Sequence, residues 1–113
     1  MKEIKAFIRC RKAEEVIEAL EYIGIKDITL IDVMGLGKDL LDPEHSKYSV
    51  KCVKKYSEVA KIEIVCKDRD VESVTATIQK SAYSGMKGDG LIYVMSVDNA
   101  IKIRTGATGD KAI

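Results

Sequence analysis

The 113-residue sequence has no tryptophan and only one phenylalanine, one proline and one histidine. The single histidine, His45, excludes a site built from several histidines of one chain. No apolar run approaches the roughly 20 residues of a membrane-spanning helix, so direct insertion into a membrane is not expected. The first residues lack the apolar core of a signal peptide, and the three cysteines are odd in number and widely spaced. We therefore expect a cytoplasmic protein with reduced thiols.

An excess of charge of one sign is also missing. Lysine and arginine total 19, aspartate and glutamate total 18, and the formal net charge is +1. Proteins that bind nucleic acid usually carry a clear basic excess, so no nucleic-acid partner is expected. Hydrophobic residues make up 46% and charged residues 33%, as in ordinary globular proteins. The length fits a single domain that spans residues 1–113.

Hydrophobic periodicity predicts two βαβ units in succession. The predicted strands are residues 4–8, 28–33, 60–66 and 92–95, and the predicted helices are residues 13–23 and a second helix that begins near residue 71. Gly24 stands where a glycine commonly ends a helix, and Asp68 and Asp70 can cap the second helix. This order favours an α+β fold, the ferredoxin-like βαββαβ sandwich, in which two helices cover one face of an antiparallel sheet.

In such a sandwich the second face of the sheet has no helix to cover it. Both residue sets of the strands are fairly apolar, as Phe7, Leu30, Val65 and Val94 show. A bare apolar face of this kind usually contacts a partner subunit. The sequence therefore predicts a homo-oligomer.

A long insertion separates the second and third predicted strands, at about residues 36–59. Loops longer than roughly 12–15 residues are usually functional or disordered. The alternative is a tolerated extension of the hairpin.

Two glycine-containing patches are candidates for an anion site, because glycine lets backbone amides approach an anion closely. The first is Gly35-Leu36-Gly37-Lys38, and the second is the segment 84–90, which contains Lys87. Lysine side chains add point charges suited to phosphate. The alternative for the second patch is a helix stop followed by an Asp-Gly turn.

Two further features bear on the chemistry. Lys102 and Arg104 alternate with apolar residues, which predicts an extended segment with both cations on one face. They are either a solvated strand edge or cations that bind phosphate. Glu63, in the middle of a strand, either faces solvent or accepts hydrogen bonds from a ligand. No nucleophile accompanies His45 in sequence, so no catalytic residues are predicted.

Several motifs together resemble the PII signal-transduction (nitrogen regulatory protein P-II) family, over nearly the whole chain apart from the central loop. They are Met1-Lys2-x-Ile4-x-Ala6, Glu18-Ala19-Leu20 to Gly24-Ile25, Thr29 to Gly35-x-Gly37, Lys61-Ile62-Glu63-Ile64-Val65, Gly85-x-x-Gly88-Asp89-Gly90-x-Ile92 and Ile101-x-Ile103-Arg104-Thr105-Gly106. The most specific of them are the block Gly88-Asp89-Gly90 and the tail Arg104-Thr105-Gly106 that follows it.

The resemblance implies a compact homotrimer in which ATP and ADP compete for clefts between subunits. Residues 36–59 become the T-loop, which docks on target proteins. Residues 84–91 become the B-loop around the phosphates, and residues 101–113 become the C-loop, which reaches across from a neighbouring subunit. The implied function is regulation of a target protein in nitrogen metabolism or transport, without catalysis. An ammonium transporter is one candidate target, and another transporter or an enzyme is the alternative.

The resemblance also implies a set of nucleotide-binding residues. They are Thr29, Gly35, Leu36, Gly37, Lys38, Glu63, Ile64, Gly88, Asp89, Gly90, Lys102 and Arg104. The glycine patches would surround the phosphates. Lys102 and Arg104 would reach across from a neighbouring chain and neutralise the phosphate charge. Thr29, Glu63 and Ile64 would lie near the adenine.

The chain departs from the family pattern at positions that matter for effectors. Asp39 replaces a glutamine that binds magnesium and 2-oxoglutarate, and Val59 replaces a lysine that contacts 2-oxoglutarate. Binding of 2-oxoglutarate is therefore not expected, although Asp39 could still hold nucleotide-bound Mg²⁺. Leu91 stands in place of a basic residue and Lys102 in place of an arginine. We therefore expect ADP or AMP to rival ATP.

Two alternatives stay open at this point. One is a PII-like sensor with a changed effector, such as ADP, AMP or a carbon- or bicarbonate-related metabolite, and with a target outside nitrogen metabolism. The other is a small acylphosphatase-like enzyme on the same sandwich. Arg9 and Arg11 fit such an enzyme, but the asparagine that would orient water is missing there, because Asn99 is the only asparagine in the chain.

Overall fold

A computed structural model of the chain describes residues 1–33 and 59–113. The strands in this part are β1 (Lys2–Arg9), β2 (Thr29–Val33), β3 (Val59–Cys66) and β4 (Gly90–Ser96), and the α-helices are α1 (Ala13–Tyr22) and α2 (Val71–Ala82). Short 3-10 turns occupy Cys10–Lys12, Asp68–Asp70 and Gly109–Ala112. The predicted elements are all present, and most of them differ from the prediction only at their ends.

The four strands form one antiparallel sheet in the order β2-β3-β1-β4. The predicted α+β, ferredoxin-like architecture is therefore confirmed. β1 and β3 are the central strands and pair over their full length, from Lys2 opposite Cys66 to Arg9 opposite Val59. β2, which precedes the T-loop, and β4, into which the B-loop leads, are the edge strands of the sheet.

The hydrophobic core lies between the helices and one face of the sheet. On β1 and β3 every second side chain enters it, as expected for the period of two of a strand. Val16 and Leu20 of α1 and Val74 and Ile78 of α2 close this core, and all four are fully buried. In both helices the spacing of three or four residues puts these side chains on one stripe.

Of the helix ends predicted from the sequence, one is confirmed and the other is not. Gly24 takes a φ of 94° just beyond α1, and its amide donates to the Glu21 carbonyl at 2.9 Å, as predicted for a helix-ending glycine. The predicted caps of α2 are wrong: Asp70 makes no side-chain capping bond. Asp68 pairs instead with the amino terminus of Met1. The 3-10 turn at 68–70 leads directly into the helix, and Asp70 has the backbone angles φ −93° and ψ −9° of a helical residue instead of the extended conformation usual for a capping residue.

Within the described residues, no helix has the length and apolarity that crossing a membrane requires.

Candidate functional site: the B-loop and the open face of the sheet

The B-loop is organised around the side chain of Asp89, which turns back into its own loop. Its carboxylate accepts hydrogen bonds from the amides of Ser84 and Gly85, each at 2.9 Å, and from the Ser84 hydroxyl. The Ser84 hydroxyl in turn accepts from the Met86 amide at 3.2 Å. The carboxylate therefore holds the loop together, and Asp89 can offer a ligand mainly its backbone.

Arg9, at the end of β1, anchors this loop to the sheet. Its Nε donates to Asp89 Oδ1 at 3.2 Å and its Nη2 donates to the Lys87 carbonyl at 2.6 Å. Sequence reasoning considered Arg9 only as a phosphate ligand of an enzyme. Because two of its donors are bound to the loop and its side chain is 10% exposed, it is not free for that role.

The pKa of Asp89 reflects these contacts. Burial is the largest single influence and raises it, but the hydrogen bonds from Ser84, Arg9 and Gly85 together outweigh burial and lower the pKa to about 2. The carboxylate is therefore charged throughout the physiological pH range.

Gly90 explains how the loop enters β4. It pairs with Ile8 and takes a φ of 111°. A Cβ atom at this position would lie 1.7 Å from the Phe7 carbonyl oxygen, so only glycine allows the strands to approach this closely. Gly88 also has a positive φ, 93°, at the turn of the loop. Gly88 and Gly90, which were both predicted to bind phosphate, are thus required by the backbone path as well.

The amides of the B-loop fall into two groups. Those of Ser84, Gly85 and Met86 are bound within the loop, as described above. The amides of Lys87 and Gly88 receive no hydrogen-bond acceptor from the described part of the chain. Unpaired amides next to glycine in a turn are the groups that bind phosphate in nucleotide sites.

A second group of predicted site residues lies on the open face of the sheet, the face without helices. Thr29 of β2 is directly opposite Glu63 of β3, so the structure brings these two together. Ile64 points the other way, into the core, and is 2% exposed. Its side chain cannot line a ligand cleft.

Val65 is the residue that sequence reasoning missed here. It shares the face of Glu63 and is 37% exposed. The alternation of the strand was the signal that could have placed Val65, rather than Ile64, beside Thr29 and Glu63.

The open face combines apolar side chains with paired charges. Lys61 Nζ lies 2.9 Å from Glu63 Oε1, and Lys5 Nζ lies 3.6 Å from Glu3 Oε1. The Phe7 and Tyr93 rings pack edge to face, with centroids 5.7 Å apart. Glu63, which was predicted either to face solvent or to bind a ligand, has a cationic partner on its own strand.

The C-loop differs from the extended segment that was predicted. Ile101 and Thr108 form an isolated bridge, and the chain between them turns. The Gly106 amide donates to the Lys102 carbonyl at 2.7 Å, and the Lys102 amide donates to the Ala107 carbonyl at 2.8 Å. The extended prediction is wrong because Gly106, with a φ of 74°, closes a turn. Lys102 and Arg104 are both exposed on it.

The remaining predicted site residues, Gly35, Leu36, Gly37, Lys38 and Asp39, lie outside the described residues, as does the T-loop up to residue 58. Val59, where the T-loop was predicted to end, is the first residue of β3 and is buried. The described part of the chain contains no cluster of three or more metal-ligating side chains.

The fold and these features define a small α+β protein with a glycine loop anchored at the sheet edge and an apolar sheet face that no helix of the described residues covers. Comparison with known proteins agrees with this class. The sequence matches the family described as "Nitrogen regulatory protein P-II" over residues 1–107. The chain belongs to the P-II family, as the resemblance predicted. Members of this family are signalling regulators that form trimers and act on target proteins, and they are not enzymes.

Individual relatives cover the whole chain. The Nitrogen regulatory protein P-II 2 of Methanothermobacter thermautotrophicus is 44% identical over 100% of this chain and 97% of its own length. The Nitrogen regulatory protein P-II of Azospirillum brasilense is 39% identical over the full length of both chains. Among solved structures, Arabidopsis thaliana PII bound to citrate superimposes with a TM-score of 0.80, at 36% identity, over 99% of this chain and 91% of that one.

Proposed function

We propose that this protein is a cytoplasmic, trimeric PII-type regulator that binds adenine nucleotides between subunits and controls a target protein through its T-loop. The observation that carries the proposal is the B-loop: Asp89 and Arg9 hold it, and the Lys87 and Gly88 amides find no acceptor among the described residues. Backbone amides fixed before the ligand arrives cost little ordering free energy on binding. This arrangement suits the phosphates of a nucleotide.

The open sheet face supports the trimer. Tyr93 and Met95 of the edge strand β4 lie on this face and are 43% and 39% exposed in the single chain. Large apolar surfaces of this kind are usually covered by protein. Since the charges on this face already occur as Lys–Glu pairs, a second copy can cover it without burying an unpaired charge.

The C-loop supports a site shared between subunits. Ile103 is fully exposed and Ile101 is 66% exposed, on the same turn that carries Lys102 and Arg104. If a neighbouring subunit buries these isoleucines, Lys102 and Arg104 come to lie against the surface of that neighbour. In the proposed cleft they neutralise the phosphates bound at the B-loop of that neighbour.

The adenine would lie near Thr29, Glu63 and Val65, and the Gly35–Lys38 segment would add amides and a cation on the phosphate side. Leu91, the last residue of the B-loop, is 38% exposed and brings no charge to the phosphates. With fewer cations, the site gains less from a third phosphate, so we propose that ADP or AMP rivals ATP, with an affinity within about tenfold of that of ATP or higher.

Other ligands follow from the residues already named. Asp39 is proposed to contact Mg²⁺ only when the metal arrives with the nucleotide. Binding of 2-oxoglutarate is not part of the proposal, because Asp39 would repel a dicarboxylate. The target is proposed to be a transporter or an enzyme, an ammonium transporter included, that the T-loop contacts.

The experiment is titration calorimetry of the purified protein with ATP, ADP, AMP, 2-oxoglutarate and citrate, each with and without Mg²⁺. The expected result is binding of adenine nucleotides, with ATP–Mg²⁺ less than about tenfold tighter than ADP. Citrate is included because the plant relative holds it. No heat from any adenine nucleotide would overturn the proposal, and an ATP–Mg²⁺ preference of tenfold or more would overturn its nucleotide ranking.

A further inference from the structure

Arg9 is the one charged residue that is buried in the described part of the chain, at 9% exposure. Burying a guanidinium costs free energy unless its donors are bound and its charge is compensated. Both conditions are met at the B-loop, through Asp89 and the Lys87 carbonyl. Among the described residues, the contacts that offset this cost all go to that one loop.

We propose that Arg9 is a positioning residue for the nucleotide site, which holds the B-loop in its binding conformation without touching the ligand. This inference rests on the proposed function. The two contacts lie on either side of Gly88, one at residue 87 and the other at residue 89. The Lys87 carbonyl belongs to the same peptide unit as the Gly88 N–H, which finds no acceptor among the described residues, so the bond from Arg9 Nη2 fixes the orientation of that amide.

The guanidinium is suited to this task because its donors are spread over a rigid plane. Nε and Nη2 reach two different acceptors at once, a side-chain carboxylate and a main-chain carbonyl. A lysine ammonium at the same position carries its donors on a single atom. We therefore expect lysine to keep the charge pairing with Asp89 and to lose part of the geometric control.

Ser84 completes the same network from the other side. Its amide and hydroxyl donate to the two Asp89 oxygens, and Arg9 donates to Oδ1 as well. The loop is thus closed at its beginning by Ser84 and tied to β1 by Arg9, with Asp89 between them. Loosening either contact should leave more of the ordering of the loop to the ligand, which weakens binding.

The experiment compares wild-type protein with Arg9→Met, which keeps the apolar stem, and with Arg9→Lys. Arg69→Met is the matched control, because Arg69 is exposed in the 3-10 turn after β3, at the opposite end of the sheet. Three quantities are measured on each: the Kd for ADP by calorimetry, the exchange rates of the Ser84 and Gly85 amides, and the melting temperature.

We expect Arg9→Met to bind ADP about tenfold or more weakly, with Ser84 and Gly85 amides that exchange about tenfold faster. Arg9→Lys should recover part of both losses, and Arg69→Met should match the wild type. Recovery by lysine at an unchanged melting temperature separates positioning from a general loss of stability. An Arg9→Met protein that folds and binds ADP within about twofold of the wild type overturns the inference.

A further variant covers the case in which Arg9→Met does not fold. Ser84→Ala removes one donor to Asp89 and leaves the Arg9 contacts in place, and we expect it to weaken ADP binding about threefold or more. Unchanged binding in both Ser84→Ala and Arg9→Lys would then overturn the inference. If the wild type itself binds no adenine nucleotide, the proposed function fails. If the wild type binds ADP but neither the Kd nor the amide exchange rates change when Arg9 is substituted, the inference fails and the proposed function stands.

Discussion

The two faces of the sheet are formed by the same four strands but differ in the exposure and polarity of their side chains. On the face that the helices cover, the side chains are aliphatic and essentially unexposed, as in Ile4, Ile62 and Ile64. On the open face, Phe7 and Tyr93 lie among the Lys–Glu pairs, and all of these side chains stay partly exposed. The single chain is therefore stabilised mainly from one side, and the described residues leave the other side partly exposed.

The difference shows which apolar strand residues stabilise the single chain and which contribute mainly to contacts between chains. An apolar side chain on the covered face contributes to the folding of one chain, because its own helices bury it. An apolar side chain on the open face contributes fully only when a second chain covers it. Substitutions of the same residue type on the two faces should therefore change different equilibria.

The largest effect on the stability of the single chain is expected from Ile62→Ala, on the covered face. Removing most of a fully buried isoleucine leaves a cavity and should lower the free energy of unfolding by about 2–5 kcal/mol. The matched change is Ile31→Ala on the open face, where the residue is 36% exposed and lies opposite Lys61. It should weaken subunit association more than it lowers the unfolding free energy, which denaturant titrations at several protein concentrations would separate. Equal losses in the two variants would break the comparison.

The second effect concerns assembly. Tyr93→Asp places a carboxylate on the open face, where the proposed interface would bury it, and should weaken association by about 2 kcal/mol or more per interface. We expect the mass in solution to fall toward that of a single 12.5 kDa chain, with the helical circular dichroism retained. Tyr22→Asp is the control, because this tyrosine of α1 is 92% exposed. Dissociation of both variants, or of neither, would contradict the account of the open face.

The third effect compares Asp89, at the edge of the sheet, with the charged side chains of the open face. It tests whether the hydrogen bonds to Asp89 contribute more to stability than the charge pairs of that face do. In the folded protein the pKa of Asp89 is lowered from 3.8 to about 2, so its charged form stabilises the fold at pH values above about 4. That contribution, about 2 kcal/mol, should be lost as the pH falls from 4 through 2.

The measurement for Asp89 is the unfolding free energy of wild type and of Asp89→Asn between pH 2 and pH 6. Because asparagine does not titrate, the difference between the two should be constant above about pH 4 and should shrink below it. A difference that stays the same down to pH 2 would show that the carboxylate is not held as described.

The smallest effect is expected from the charge pairs of the open face. Lys61→Gln removes the partner of Glu63 at 2.9 Å, but both side chains keep about a quarter of their exposure in the single chain. The loss of stability should be about 1 kcal/mol or less and should diminish in high salt. Chemical denaturation in low and high salt would measure it. A loss that salt does not reduce would mean that the pair is already buried by a second subunit.

The fold could be predicted because its signals are local. The periods of two and of about three and a half residues identified every strand and helix of the described part, and Gly24 marked the end of α1. The outcome for the α2 caps could not be predicted, because Asp68 pairs with the amino terminus of Met1, a contact between residues distant in sequence that leaves no periodic trace. The turn of the C-loop is local, and Gly106 was its signal, but the alternation of Lys102 and Arg104 indicated an extended segment instead.

The candidate site was predictable in outline and not in its details. The glycine motif located the B-loop, but no local pattern indicated that Arg9 would tie it to the sheet through Asp89, 80 residues further along the chain. The choice of Ile64 over Val65 could have been corrected from strand alternation alone. The predictions for Gly35, Leu36, Gly37, Lys38 and Asp39 stay predictions.

The most direct test of the central claim, a nucleotide site completed by neighbouring subunits, is native mass spectrometry of the wild-type protein with and without ADP. The account predicts an assembly of three chains that takes up ADP in steps to three per trimer. A single chain of 12.5 kDa, or a trimer to which no adenine nucleotide adds, would contradict it.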